Sequence, residues 1–160
     1  MPSVTIEYVI LLPILMMQVF LFPFAANWLM NVWVDSRREL ALKDVAGHLG
    51  STIQQLYFSL NHATISEGTA TYAPGLPKSI EDYHYIANGT LRTVLDPYSN
   101  SSKVLELTVR MVSTGNSVKA TVVLGPNVVW RDSVFISNST NACVSAEKNQ
   151  TGTIFLQFGG

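Results

Sequence analysis

Cysteine is almost absent from this chain of 160 residues, which has a single thiol at Cys143. One cysteine cannot form a disulfide within the chain, so it is either a small buried thiol or half of an intermolecular bond. The three histidines, His48, His62 and His84, lack the spacing of a metal site, and one thiolate does not make a zinc site. We therefore predict no metal and no bound cofactor, N-linked glycans aside.

Charge is also scarce, and its two signs are balanced. Ten basic and eleven acidic residues give a formal net charge of -1, and they form no basic stripe that could follow a phosphate backbone. Nucleic acid is therefore not an expected partner. Nucleophile elbows, phosphate loops and dinucleotide fingerprints are missing as well, so we predict that the chain is not an enzyme.

One long stretch has no charge at all. The 27 residues from Tyr8 to Val34 contain no Asp, Glu, Lys or Arg. As a helix rising about 1.5 Å per residue they extend about 40 Å, longer than the roughly 30 Å hydrocarbon core of a bilayer. The stretch is too long for a secretory signal, and no basic residue precedes it. A single-span anchor is the main alternative, and Arg37 and Arg38 would then hold the remainder in the cytoplasm.

The C-terminal half contradicts a cytoplasmic location, because it contains four Asn-x-Ser/Thr sequons. They begin at Asn88, Asn100, Asn138 and Asn149. Sequons indicate a glycosylated, exported surface, although a polar, threonine-rich β surface also generates them freely. Since an exported domain needs a leader and none precedes the apolar stretch, we expect that the sequence starts at a mature N-terminus or that its start is incomplete.

The first residues carry a motif of five positions. These are Ser3, Thr5, Glu7, Leu11 and Pro13. The segment resembles the N-terminal motif of archaeal type IV pilins and archaeal flagellins, a Gln-x-Ser-x-Glu-x-x-x-Leu pattern that follows the cleavage point of a short basic leader. Ser3 stands at the Gln position and Thr5 at the Ser position. The Glu7-Tyr8 pair and Pro13 are also similar to tight-adherence pilin-like proteins, and the resemblance covers about sixty residues.

The resemblance implies an assembly principle. Its members polymerise into a helical homopolymer through their N-terminal helices, after processing by a prepilin peptidase and with inner-membrane pilus assembly machinery as partner. It implies that Glu7 meets the N-terminal amine of a neighbouring copy, which fixes register and removes two desolvation penalties. The alternative for Glu7 is an interfacial acid favoured by the helix dipole.

Two other features of the apolar stretch bear on packing. Pro13 and Pro23 each remove a backbone donor, so kinks or short melted segments are expected there, with neighbouring helices satisfying the freed carbonyls. The amides of Gln18, Asn27 and Asn31 gain from hydrogen bonds between helices, or are tolerated singly.

The rest of the chain predicts an α+β fold. Residues 1–62 are assigned to a polymerisation helix, apolar over 8–34 and amphipathic over 35–62, with a break near Asp35 or at Gly47 and Gly50 as the alternative. A linker over 63–78 then leads to a small antiparallel sandwich or barrel over 79–160. The predicted strands are Tyr83–Ile86, Val104–Val112, Val118–Leu124, Val128–Ile136 and Thr153–Phe158, with a hairpin at Thr114-Gly115-Asn116.

These expectations lead to three hypotheses. The first is the major subunit of an extracellular pilus, adhesive in role, whose apolar helix is membrane-embedded before assembly. The second is a single-pass membrane protein presenting a β-sandwich binding module. The third is a low-copy pilin-like component of a secretion or adhesion machine.

Overall fold

The computed structural model describes residues 3–94 and 102–159 as one helix and eight strands. In chain order they are α1 (Ser3–Leu60), β1 (Gly68–Tyr72), β2 (Tyr85–Val94), β3 (Ser102–Met111), β4 (Ser117–Leu124), β5 (Val128–Trp130), β6 (Val134–Ile136), β7 (Cys143–Lys148) and β8 (Ile154–Gly159). The chain forms two compact units, Met1–Arg37 and Arg38–Gly160. The amphipathic half of α1 therefore belongs with the strands, and not with the apolar half as the sequence-based boundary at residue 62 has it.

The apolar half of α1 is helical through both of its prolines. Pro13 and Pro23 lie inside the helix, and no described residue between them leaves the helical conformation. Of the two expected effects, short melted segments are therefore wrong at these positions, and kinks stay a prediction. The physical reason is that the neighbouring side chains are apolar and offer the backbone no other hydrogen-bonding partner. An unwound segment would therefore leave more backbone N–H and C=O groups unpaired than the two prolines do.

The amphipathic half of α1 packs into the core of the second unit. Leu42, Val45, Leu49 and Ile53, spaced three or four residues apart, are all buried. This confirms the predicted amphipathic pattern, and the helix passes through Gly47 and Gly50 without a break. It ends at Leu60, where the amide of Asn61 still donates to the carbonyl of Tyr57 at 2.8 Å.

The strands form two four-stranded sheets. Sheet 1 has the order β1-β7-β8-β5 and sheet 2 has the order β4-β3-β2-β6. The α+β prediction is thus confirmed, although the β5/β8 pair is parallel and makes sheet 1 mixed. The predicted strand Val128–Ile136 is in fact two strands, because the chain leaves sheet 1 at residues 131–133 and joins the edge of sheet 2 as β6.

Two strands, β1 and β7, were not predicted from the sequence. The stretch 63–78, predicted as a linker, contains β1, which pairs with β7 in the register Ala70↔Ala146. Threonines in β1 favour an extended backbone at a sheet edge, even though glycine and proline surround it.

The hairpin at residues 114–116 is confirmed, with Gly115 at φ 77° and the amide of Met111 donating to the carbonyl of Asn116 at 2.9 Å.

Aromatic side chains join the two sheets across the core. The ring of Phe158 in β8 lies 5.0 Å from Trp130 and 5.7 Å from Phe135. Gly89 in β2 faces Trp130 so closely that a Cβ there would lie 2.5 Å from the indole ring. Tyr85 donates its hydroxyl to the carbonyl of Pro77 at 2.7 Å, and burial raises its pKa to about 12, so the phenol remains a donor.

Asn127 connects the end of α1 to the strands, and its replacement tests this connection. Its Oδ1 accepts from the Tyr57 hydroxyl at 3.2 Å, while its Nδ2 donates to Asn61 Oδ1 at 3.0 Å and to the Gly152 carbonyl at 2.9 Å. Asn127→Ala should lower the free energy of unfolding by about 2 kcal/mol, because three polar groups lose their partner. Denaturant unfolding of the full chain in detergent measures this. Asn141→Ala, at an exposed turn, is the control, and equal losses for both variants would contradict the assignment.

Candidate assembly surface and modification sites

The most unusual surface of the protein is the apolar half of α1. From Leu11 to Trp33 the large apolar side chains are exposed on every side of the helix, and Phe22 and Phe24 are 77% and 75% exposed. A helix that is apolar all round is normally buried in protein or lipid. By length and composition, this helix could cross a membrane. We define its segment from Leu11 to Trp33 as the apolar surface.

The motif residues lie at the start of this helix. The backbone of Ser3, Thr5 and Glu7 is helical, and their side chains lie outside what the structure describes. Leu11 and Pro13 are exposed on the apolar surface. The pairing of Glu7 with a neighbouring amine therefore stays a prediction.

Polar groups without an intrahelical partner are embedded in the apolar surface. Pro13 and Pro23 have no N–H, so the carbonyls of Val9 and Val19 lack their usual donor four residues along. The amides of Gln18, Asn27 and Asn31 are exposed among apolar neighbours. The surface thus presents hydrogen-bond donors and acceptors that hydrocarbon cannot satisfy.

The second unit begins at Arg38, whose side chain is held by a tight turn. Arg38 Nε lies 2.7 Å from Glu81 Oε2, and its guanidinium lies over the Tyr83 ring at 5.7 Å from the centroid. Glu81 and Asp82 have φ values of 48° and 66°, a left-handed conformation that costs non-glycine residues about 1–2 kcal/mol each. This turn was not predicted from the sequence, because glycine or asparagine is the usual signal for such a conformation and neither is present at these two positions.

Arg37 and Arg38 were the residues that pointed to a cytoplasmic location by the positive-inside rule. In the structure both have aromatic partners, since the Arg37 guanidinium lies 5.0 Å from the centre of the Trp33 ring. Arg38 is also neutralised by Glu81. Arg38 therefore also has a structural role in the folded unit.

Three of the four sequons lie on the described surface. Asn88 and Thr90 are exposed on β2 while Gly89 between them faces inward, and Asn138 is exposed in the turn after β6. Asn149 lies in the turn between β7 and β8, where its Oδ1 accepts from the Thr151 hydroxyl at 2.7 Å. Asn100 lies outside the described residues.

Charged groups on the outer face of sheet 2 form an ion-pair network. Glu106 Oε1 is 2.5 Å from Lys119 Nζ, and its Oε2 is 3.4 Å from Arg92. The hydrogen bond from Lys119, then its charge and that of Arg92, lower the pKa of the Glu106 carboxyl. These pairs are exposed and contribute little to stability. In the described part of the chain no three His, Cys, Asp or Glu residues are grouped to hold a metal ion.

Comparison with known proteins adds no relative. No protein-family model, curated protein or solved structure matches the chain. The resemblance of the first residues to archaeal type IV pilins therefore stays a prediction, and the functional argument rests on the apolar surface and the folded unit that follows it.

The exposed sequons give a direct test of export. We expect protein from its native host to carry glycans at Asn88, Asn138 or Asn149, since all three lie in surface strands or turns. Asn→Gln replacement at each occupied position should then remove one glycan mass in intact-mass spectrometry. Asn116→Gln, in a turn without a sequon, should leave the mass pattern unchanged. A native protein with its unmodified sequence mass would contradict the expectation.

Proposed function

We propose that this protein is the structural subunit of an extracellular filament of the type IV pilus kind. The observation that carries the proposal is the contrast between the two compact units. The strands and the end of α1 bury their own core, with Leu49, Leu107 and Leu156 all inaccessible to solvent. The apolar surface buries nothing within the chain, so it requires an external partner.

Copies of the same helix satisfy this surface better than lipid alone. Three exposed amides and two proline-freed carbonyls need hydrogen-bonding partners, and neighbouring helices supply them. The first residues support the same partner, because Glu7 stands where the pilin motif has its assembly glutamate. The apolar surface is long enough to span a membrane before assembly, and copies of the same helix can surround it afterwards.

The remaining parts of the proposal follow from this assembly. The two-sheet unit forms the outer surface, decorated at its sequons, and adhesion or surface attachment is its role. A prepilin peptidase and inner-membrane assembly machinery are the partners that the motif implies.

Electron microscopy of sheared cell-surface material tests the proposal. We expect helical filaments that dissociate in detergent and contain this chain, with an N-terminus at or near Ser3 by mass spectrometry. Recovery only as monomers extracted from membranes would overturn it. That outcome would favour the single-pass alternative with a β-sandwich binding module, which the length of the apolar helix also allows.

A further inference from the structure

The three amides of the apolar surface lie on two opposite sides of α1. Gln18 and Asn27 are nine residues apart, about two and a half turns of an α-helix, so their side chains point in opposite directions. Asn31 follows Asn27 by four residues and shares its side. No described residue forms a hydrogen bond with any of these three side chains.

An unpaired amide on each side is costly in an apolar medium. Moving an amide from water to hydrocarbon without a hydrogen-bonding partner is strongly unfavourable. An amide side chain has both a donor and an acceptor, so another amide is a complete partner for it. A second copy of this chain therefore offers a match for each side, which lipid chains do not.

From this geometry we infer that Asn27 of one copy contacts Gln18 of the next, an inference that rests on the proposed filament. When two parallel copies are related mainly by a translation, the Asn27 side of one copy faces the Gln18 side of its neighbour. A two-fold dimer would bring one side against itself and leave the other amide unpaired. The contact is thus head-to-tail, and it repeats along the filament.

The same contact fixes the shift between neighbouring helices. Bringing Asn27 level with Gln18 requires an axial offset of nine residues, about 13.5 Å. Gln18 lies in an open groove that can receive the neighbour. Its lining residues include Leu15, Val19, Phe22 and Ala25. At this offset Phe24 of one copy is level with Leu15 of the other, and the small Ala25 allows close approach.

Disulfide trapping in assembled filaments tests this contact. Gln18→Cys and Asn27→Cys are introduced singly and together in a Cys143→Ser background, and filaments are oxidised before denaturing electrophoresis. We expect a ladder of covalent multimers from the double variant, because each copy then bonds to the next on both sides. Neither single variant should produce dimers, since like positions do not meet.

Dimers from either single variant, or filaments of the double variant without a ladder, would overturn the inference and leave the proposed filament intact. If the double variant does not assemble, the axial offset between contacting helices in a density map of wild-type filaments decides. An offset of about 13.5 Å between facing helices supports the contact, and a clearly different offset rejects it. Wild-type protein that forms no filaments rejects the proposed function together with this contact.

Discussion

Glu7→Ala should abolish filament assembly while the second unit remains folded. Removing one member of a buried ion pair costs about 3–5 kcal/mol, because the other charge stays buried without a partner. In a helical polymer the neighbouring amine would suffer this loss at every subunit contact. The measurement is the amount of filament sheared from cells that express the variant, compared with the amount of subunit in their membranes.

Glu39→Ala is the matched control for this prediction. Glu39 is an exposed acid on the same helix but outside the apolar surface, so its removal should leave filament yield at the wild-type level. Glu7→Gln separates charge from size, and it should fail in the same way as alanine. Normal filament yield from Glu7→Ala would instead support an interfacial acid that only favours the helix dipole.

Periodic local signals made the helical half of this protein predictable. The apolar stretch is recognised by a run without charge, and the amphipathic half by apolar residues three or four positions apart, such as Leu42, Val45 and Leu49. The hairpin at Gly115 was predictable for a similar reason, because its turn residues are local. Alternation in β3 likewise gave that strand within two residues.

The strands that sequence reasoning missed depend on distant partners. β1 and β7 are short, and glycine, threonine and charged residues interrupt their apolar alternation. β1 becomes a strand by pairing with β7, and β7 by pairing with β1 and β8. The change of sheet at residues 131–133 is equally non-local, since β5 and β6 pair with strands far apart in sequence. The inward position of Gly89 depends on Trp130, forty-one residues further on.

The candidate site also has some features that local sequence predicts and others that depend on the folded structure. Which residues are apolar or carry amides is plain from the sequence, and so is the motif around Glu7. Their arrangement on two opposite sides becomes definite only when the helix is continuous between Gln18 and Asn27, which a melted segment at Pro23 would prevent. The Arg38–Glu81 pair lay beyond sequence reasoning altogether, because the two residues are 43 positions apart.

Two glycines in the amphipathic half of α1 allow the packing of helix on sheet to be tested. Gly50 faces sheet 2, where an added Cβ would lie 3.0 Å from Val122 Cγ2 and 3.8 Å from Leu107 Cδ1. Gly47, three residues earlier, has open space around its own Cβ position. The two positions share helix and residue type, and they differ in whether the sheet lies against them.

Gly50→Leu should therefore destabilise the second unit by about 3 kcal/mol, since four added carbons must force the helix away from β3 and β4. This corresponds to a fall in Tm of about 10 °C for a unit of this size. Gly47→Leu should leave the Tm unchanged or raise it, because leucine favours a helix over glycine by about 0.8 kcal/mol. Thermal unfolding of both full-length variants in detergent, followed by near-ultraviolet circular dichroism, compares them. Equal Tm values would show that α1 does not pack on sheet 2 through Gly50.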